Sequence, residues 1–194
     1  NERDNSGRTA LMFACRNGHK DVVQLLLNHS NPRIDLNAKD FFGDTAFMNA
    51  CNNGQQDVVK LLLDHSERIN LNAKANYGLT ALMIACRNGH KDVVQMLLDN
   101  SKKIDLNERD NSGRTALMFA CRNGHKDVVQ LLLNHSNPRI DLNAKDFFGD
   151  TALMIASQRG HQDIVQLIKA KLNSRSWFRF SRVLRLKERV NKLN

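Results

Sequence analysis

The first 46 residues of the chain occur a second time, without a single difference, from Asn107 to Ala152. A shorter repeat runs inside the long one. Its equivalent threonines lie at intervals of 36, 35, 35 and 36 residues, at Thr9, Thr45, Thr80, Thr115 and Thr151. A fixed period between about 20 and 50 residues is typical of a solenoid, in which one structural unit is stacked many times. Such folds present extended surfaces of equivalent positions. We therefore expect a binding surface with one set of residues per repeat.

Each repeat has the same order of local signals, and the third repeat is a convenient example. A turn at Gly78 comes first, and Thr80 follows as the N-cap of a short apolar helix. Gly89 stands where a helix commonly ends in a left-handed residue. A second apolar helix follows over residues 93–98, and an extended arm then leads into the next turn. The sequence thus predicts pairs of short helices joined by protruding turns.

These motifs resemble the ankyrin repeat. The family pattern G-x-T-P-L-H, A-A-x-x-G-H, V-x-x-L-L and D-V-N-A corresponds to Gly78-Leu79-Thr80-Ala81-Leu82-Met83, Ala85-Cys86-Arg87-Asn88-Gly89-His90, Val94-Gln95-Met96-Leu97-Leu98 and Asp105-Leu106-Asn107. Ala81 replaces the family's proline, and the arm is about two residues longer. The resemblance covers residues 1 to about 172 in five copies. It implies an all-α solenoid of stacked helix-turn-helix units with hairpin arms.

Two regions follow from this pattern. Residues 1–172 form the predicted ankyrin-repeat domain, which we expect to be a fragment of a longer array because Asn1 already lies inside a turn arm. Residues 173–194 form a predicted basic amphipathic C-terminal helix. This tail has seven basic residues and one acidic residue, a net +6, so the other residues contribute only +3 of the total +9.

The tail has several interpretations, which the sequence leaves open. Its apolar side caps the last repeat or docks against a partner helix. Alternatively, its basic side neutralises nucleic-acid phosphates, including those of ribosomal RNA, or binds an anionic membrane surface. The residues that would do so are Trp177, Phe178, Arg179, Arg182, Arg185 and Arg189.

The ankyrin resemblance implies that a partner protein contacts the hairpin tips and the exposed parts of the first helices, on the concave side. Transferred by position, the candidate partner-binding residues are Arg8, Phe41, Phe42, Asp44, Tyr77, Leu79, Arg87, Arg114, Arg122, Phe147, Phe148 and Arg159. Exposed aromatic residues are enriched at binding hot spots. The alternative is that one ring of each Phe pair packs against the neighbouring hairpin. Phe13 and Phe119 lie within the first helices, and we expect both in the core.

Four cysteines, Cys15, Cys51, Cys86 and Cys121, occupy one helix position in successive repeats. Stacked helices lie about 8–10 Å apart, which is beyond the Cα separation that a disulfide tolerates. We therefore predict buried, reduced thiols and an intracellular protein, in the cytoplasm or alternatively the nucleus.

The histidines also recur once per repeat, too far apart to share a metal ion. No nucleophile elbow, phosphate loop or Cys-x-x-Cys motif occurs. The sequence thus predicts no catalysis, no metal, no cofactor and no small-molecule substrate. It favours a scaffold that binds another protein. The alternatives are a nucleic-acid-binding, ribosome-associated or membrane-surface adaptor that acts through the tail, and an engineered or recently duplicated array.

Overall fold

The computed structural model describes residues 2–28, 34–135 and 140–174. Helices in these ranges come in pairs, one pair per repeat: α1 Ala10–Asn17 and α2 Lys20–Asn28, α3 Ala46–Asn52 and α4 Gln56–Asp64, α5 Ala81–Asn88 and α6 Lys91–Asp99, α7 Ala116–Asn123 and α8 Lys126–Asn134, then α9 Ala152–Gln158 and α10 at 162–174. Asn76–Gly78 form a short 3₁₀ turn. The described ranges contain no named strand, only an isolated bridge between Arg3 and Thr9. The predicted all-α architecture is confirmed.

The first helix of a repeat begins at the threonine that marks the period. The hydroxyls of Thr9, Thr45, Thr80 and Thr151 each accept a hydrogen bond from the backbone N–H three residues on, at 3.3–3.4 Å. This bond satisfies a donor that a helix otherwise leaves without a partner. Helices α1, α5 and α7 end at a glycine with φ of 74–75°, which avoids the Cβ clash of a left-handed residue.

Stacking builds one continuous core. The first helices α1, α3, α5, α7 and α9 pack in order against one another, and so do the second helices α2, α4, α6 and α8. All four cysteines are buried and unpaired in this core, as predicted. Burial raises the pKa of the Cys15 and Cys121 thiols to about 12, and it raises the pKa of Cys51 and Cys86 further. The thiols therefore act as small apolar side chains.

Asparagines join successive arms by a ladder of side-chain hydrogen bonds. Asn72 donates from Nδ2 to the carbonyl of Lys103 at 2.8 Å, and its Oδ1 accepts from the backbone N–H of Asp105 at 2.9 Å. Asn37 makes the equivalent bonds to Arg68 and Asn70, at 3.0 and 2.7 Å. The arms are therefore fixed to one another, although their described residues form no sheet.

Histidines and basic residues add further bonds between repeats. Nε2 of His90 and of His125 each lies 2.9 Å from a carbonyl oxygen at the end of the preceding first helix. Gln55 fills the same position in the second repeat and donates to Arg16 O at 3.0 Å. Lys39 reaches across the arms in the same way, donating from Nζ to the carbonyl of Lys74 at 2.7 Å. His90 and His125 thus have a structural role between repeats.

The prediction for the two helix phenylalanines is half right. Phe119 is buried, with 5% of its surface exposed, but Phe13 is 39% exposed, so its assignment to the core is wrong. Phe119 packs beneath the third repeat, whereas among the described residues no repeat stands before Phe13. Val22 and Leu25, on the second helix of the same repeat, are exposed for the same reason.

The predicted tail helix lies almost wholly outside the described residues. Helix α10 is described as far as residue 174, so Trp177, Phe178, Arg179, Arg182, Arg185 and Arg189 all fall beyond it. The boundary between residues 172 and 173 stays a prediction. Over the part of the chain that the structure describes, every helix is too short or too polar to cross a membrane.

Candidate functional site

The hairpin tips form one row, which we call the tip row and define as residues 4–8, 40–44, 75–79, 110–114 and 146–150. A backbone hydrogen bond joins each tip to the next. The amide of Phe41 donates to Ser6 O at 3.0 Å, Asn76 donates to Phe42 O at 2.9 Å, and the later tips repeat the pattern. The tips are therefore held at fixed spacing before any partner arrives.

A carboxylate shapes four of the five tips. Oδ1 of Asp40 accepts the backbone amides of Phe42 and Asp44, both at 2.9 Å. Asp4, Asp110 and Asp146 make the equivalent pairs. In the first tip, the hydrogen bond from the backbone N–H of Arg8 lowers the pKa of Asp4. These bonds close the turn from within the tip itself.

The third tip is different. Ala75 stands where the other tips have aspartate, so no carboxylate holds this turn. Tyr77 takes a φ of 65°, and it is the one non-glycine residue of the described ranges with positive φ. A bulky side chain in this conformation is strained by roughly 1–3 kcal/mol. Tyr77 as a whole is nevertheless 76% exposed.

The aromatic residues of the tip row point largely into solvent. Phe41, Phe42, Phe147 and Phe148 are all at least 66% exposed. Phe41 also lies over the preceding tip, where a Cβ on Gly7 would come within 2.7 Å of its Cδ1. Phe147 lies over Gly113 in the same way. The first ring of each pair thus contacts the neighbouring hairpin, while both rings keep most of their surface free.

Two arginines of the tip row are already engaged. Arg8 forms an ion pair with Asp4 at 2.9 Å, and its guanidinium lies 4.7 Å from the centre of the Phe13 ring. Arg114 repeats this with Asp110 at 2.7 Å and with Phe119 at 4.9 Å. Neither guanidinium presents an uncompensated charge to a ligand. We therefore expect the two arginines to shape the surface and not to bind an anion.

The last position of the tips differs in charge between repeats. The last residue of each tip is, in order, Arg8, Asp44, Leu79, Arg114 and Asp150. Asp44 is partly buried, and that burial, followed by the charge of Asp40, raises its pKa, while Arg87 lowers it. Asp150 accepts a hydrogen bond from Gln158 at 3.1 Å. A partner that lies along the row therefore meets two arginines whose charge is balanced, one neutral leucine and two aspartates.

A cleft of about 310 Å³ opens between the third and fourth repeats. It brings together five of the twelve predicted repeat-domain positions, together with Phe119 and Asn123; its lining is Tyr77, Leu79, Arg87, Arg114, Phe119, Arg122 and Asn123. The other seven predicted positions lie outside the cleft; they are Arg8, Phe41, Phe42, Asp44, Phe147, Phe148 and Arg159.

Sequence reasoning assigned Phe119 to the core alone and did not place it in a site. Phe119 is buried, yet it lines the cleft, and the Arg114 guanidinium lies over its ring. The sequence held no signal for this, because Phe13 and Phe119 lie in identical 46-residue segments and only Phe119 lines the cleft. The chemistry that the cleft offers is guanidinium and aromatic. Within the described ranges no group of His, Cys, Asp and Glu could hold a metal ion.

The comparisons with known proteins agree with this architecture. A family model described as ankyrin repeats (3 copies) matches residues 32–110 and 102–176, and one described as ankyrin repeats (many copies) matches residues 1–47. A search of curated proteins found no match. Ankyrin repeats generally bind other proteins and are typically not enzymes. With models of one family covering residues 1–176 over an all-helical stack, the chain belongs to the ankyrin-repeat family.

Proposed function

We propose that this protein is a non-enzymatic scaffold, which binds a partner protein along the tip row and the adjoining ends of the first helices. The observation that supports it is the row of five exposed aromatic residues on tips that hydrogen bonds hold together: Phe41, Phe42, Tyr77, Phe147 and Phe148. Aromatic side chains give large contact areas at small entropic cost. Because the tips are already fixed, binding requires little further ordering of this protein.

Site-specific cross-linking tests the proposal. A photoreactive phenylalanine analogue would replace Phe41 or Phe147, and in control proteins it would replace Lys60 or Gln95, which are exposed on the second helices α4 and α6. In extract of the native cell, we expect both tip positions to capture the same protein and the control positions not to. Equal capture from all four positions would contradict a partner on the tip row.

A quantitative test follows once that partner is known. Replacing Phe41 and Phe147 together by Ala should weaken binding by about 2 kcal/mol or more if they are hot spots. Deleting residues 173–194 should leave the affinity nearly unchanged. If the deletion abolishes binding and the double replacement has no effect, the tail is the functional element.

The charge of the tail favours a second candidate. Its net +6 over residues 173–194 suits RNA phosphates or an anionic membrane surface, and such binding should fall steeply as salt screens it. Binding of an RNA oligonucleotide or of anionic vesicles that requires these residues would support this function. We also propose a reducing, cytoplasmic location, which the four unpaired thiols support.

A further inference from the structure

The cleft between repeats 3 and 4 contains two arginines that form no ion pair within the described residues. Arg87 is half-buried and Arg122 is exposed, and both line the cleft. In the described ranges neither guanidinium forms an ion pair, in contrast to Arg114, whose charge Asp110 balances. Two unpaired guanidiniums beside Tyr77 and Leu79 make a place where an anionic group gains charge-assisted hydrogen bonds and its neighbour gains apolar contact.

We propose that this cleft binds an acidic side chain of the partner, a carboxylate or a phosphate, held by Arg87 and Arg122. An apolar residue next to it in the partner packs on Tyr77 and Leu79. This rests on the proposed function and adds a sequence requirement to it, because the partner segment must carry an anion at this one repeat junction.

The surrounding charges favour a protein segment over a nucleic acid. Asp44 precedes the cleft along the tip row, and Asp150 follows it. A nucleic-acid strand carries a negative charge on every phosphate, so any phosphate placed opposite either aspartate would be repelled. A peptide can place one acid at the cleft and neutral or basic residues opposite the two aspartates.

Asp44 also competes directly with the ligand. Its carboxylate interacts with the Arg87 charge without forming an ion pair, so it partly satisfies the guanidinium that the ligand needs. Removing this negative charge should make Arg87 more attractive to an acid. The direction of the effect is informative, since a substitution that merely damaged the fold would weaken binding.

The chain supplies a matched control. Arg16 has the same sequence around it as Arg122, through the 46-residue duplication. It lies in the first repeat, where no described repeat stands before it to complete a cleft. Arg16→Ala therefore changes the charge as much as Arg122→Ala does, in the same local sequence, without touching the proposed site.

The experiment begins with a random dodecapeptide library selected against the full chain. We expect enriched peptides to share an Asp or Glu beside an apolar residue. For the best peptide, Arg87→Ala or Arg122→Ala should weaken binding about 10-fold to 100-fold, the usual range for a hydrogen bond to a charged group. Arg16→Ala should have less than about twofold effect, since a remote exposed charge is screened, and Asp44→Asn should tighten binding. Urea unfolding of each variant verifies that it is folded.

Replacing the acid of that peptide by Gln, and separately by phosphoserine, distinguishes the two anion sources. Weaker binding of the Gln peptide supports the proposal, and tighter binding of the phosphoserine peptide identifies a phosphorylated partner. Enriched peptides without an acidic residue, or Arg87 and Arg122 variants that bind them normally, would overturn the cleft inference and leave the scaffold function standing. Tighter binding of an oligouridylate than of any peptide, dependent on the same two arginines, would overturn the choice of a protein ligand. The library would also be selected against a variant with all five tip aromatics replaced by Ala. If the wild-type chain enriches no peptides beyond those that this variant enriches, the scaffold function is rejected as well.

Discussion

Phe13 and Phe119 are the same residue in the same local sequence, yet 39% of Phe13 is exposed and 5% of Phe119. The chain is identical around them, over residues 1–46 and 107–152. The neighbour makes the difference, because the third repeat covers Phe119, while no described repeat precedes Phe13. Burial in this stack therefore depends on the position of a repeat as much as on its sequence.

The two phenylalanines should differ in their contribution to stability. Phe119→Ala leaves a cavity in packed core, and we expect it to lower the free energy of unfolding by about 3–5 kcal/mol. Phe13→Ala should cost about 1 kcal/mol, the scale of its exposed contact with Arg8. Urea unfolding of both variants measures this difference. Equal losses would mean that the third repeat does not support Phe119.

The asparagine ladder should couple one arm to the next. Asn72→Ala removes two hydrogen bonds to the following arm, and we expect a loss of about 1–3 kcal/mol with faster amide exchange at Asp105. Asn134→Ala is the control, because within the described residues its side chain accepts a single weak bond, from Gln130 at 3.4 Å. Unchanged exchange at Asp105 would contradict the ladder.

The third tip should be open to repair. Ala75→Asp restores the carboxylate that the other tips have, so it should offer an acceptor to the amides of Tyr77 and Leu79. It should stabilise the protein by about 1 kcal/mol, seen as a higher melting temperature. Asp40→Ala makes the reverse change in the second repeat and should lower the melting temperature. Two changes of the same sign would show that the carboxylate does not govern these turns.

The buried thiols should make stability depend on alkaline pH. Burial raises the pKa of Cys121 from an ordinary value of 9.0 to about 12. Between those values the unfolded chain loses this proton and the folded chain keeps it. Stability is thus fully present below about pH 9 and falls as the pH rises toward 12, by at most about 1.4 kcal/mol per pH unit for each thiol.

Urea midpoints measured from about pH 8 to about pH 10 follow this loss. Cys121→Ala should show a shallower decline than the wild type, because it removes one of the titrating thiols while other groups titrate in both proteins. Identical slopes would mean that the thiol ionises as easily in the folded chain as in the unfolded one.

The sequence predicts the fold because each repeat contains its own local signals. Thr80 marks the start of a helix and Gly89 its end, whatever the partner repeat does. The cleft was harder to predict, since Arg87 and Arg122 belong to different repeats and their meeting depends on how the repeats are offset in the stack. The role of Asn72 was missed for the same reason, because its partners lie 31 and 33 residues away. The exposed Phe13 shows that periodicity gives equal status to two positions of which only one, Phe119, is covered by a described repeat.

The duplication has a consequence for how the molecule could change in length. If residues 47–152 were inserted again after Ala152, every peptide junction and every contact between successive repeats would be one that the chain already makes, because Ala46 and Ala152 end identical segments. The same 106 residues could be removed on the same terms. Since each repeat contacts only its neighbours, such a change adds or removes three repeats without creating a type of repeat–repeat interface that the present chain lacks. The array can therefore lengthen or shorten in steps of three repeats. A longer array of this kind would present the same tips to a longer ligand.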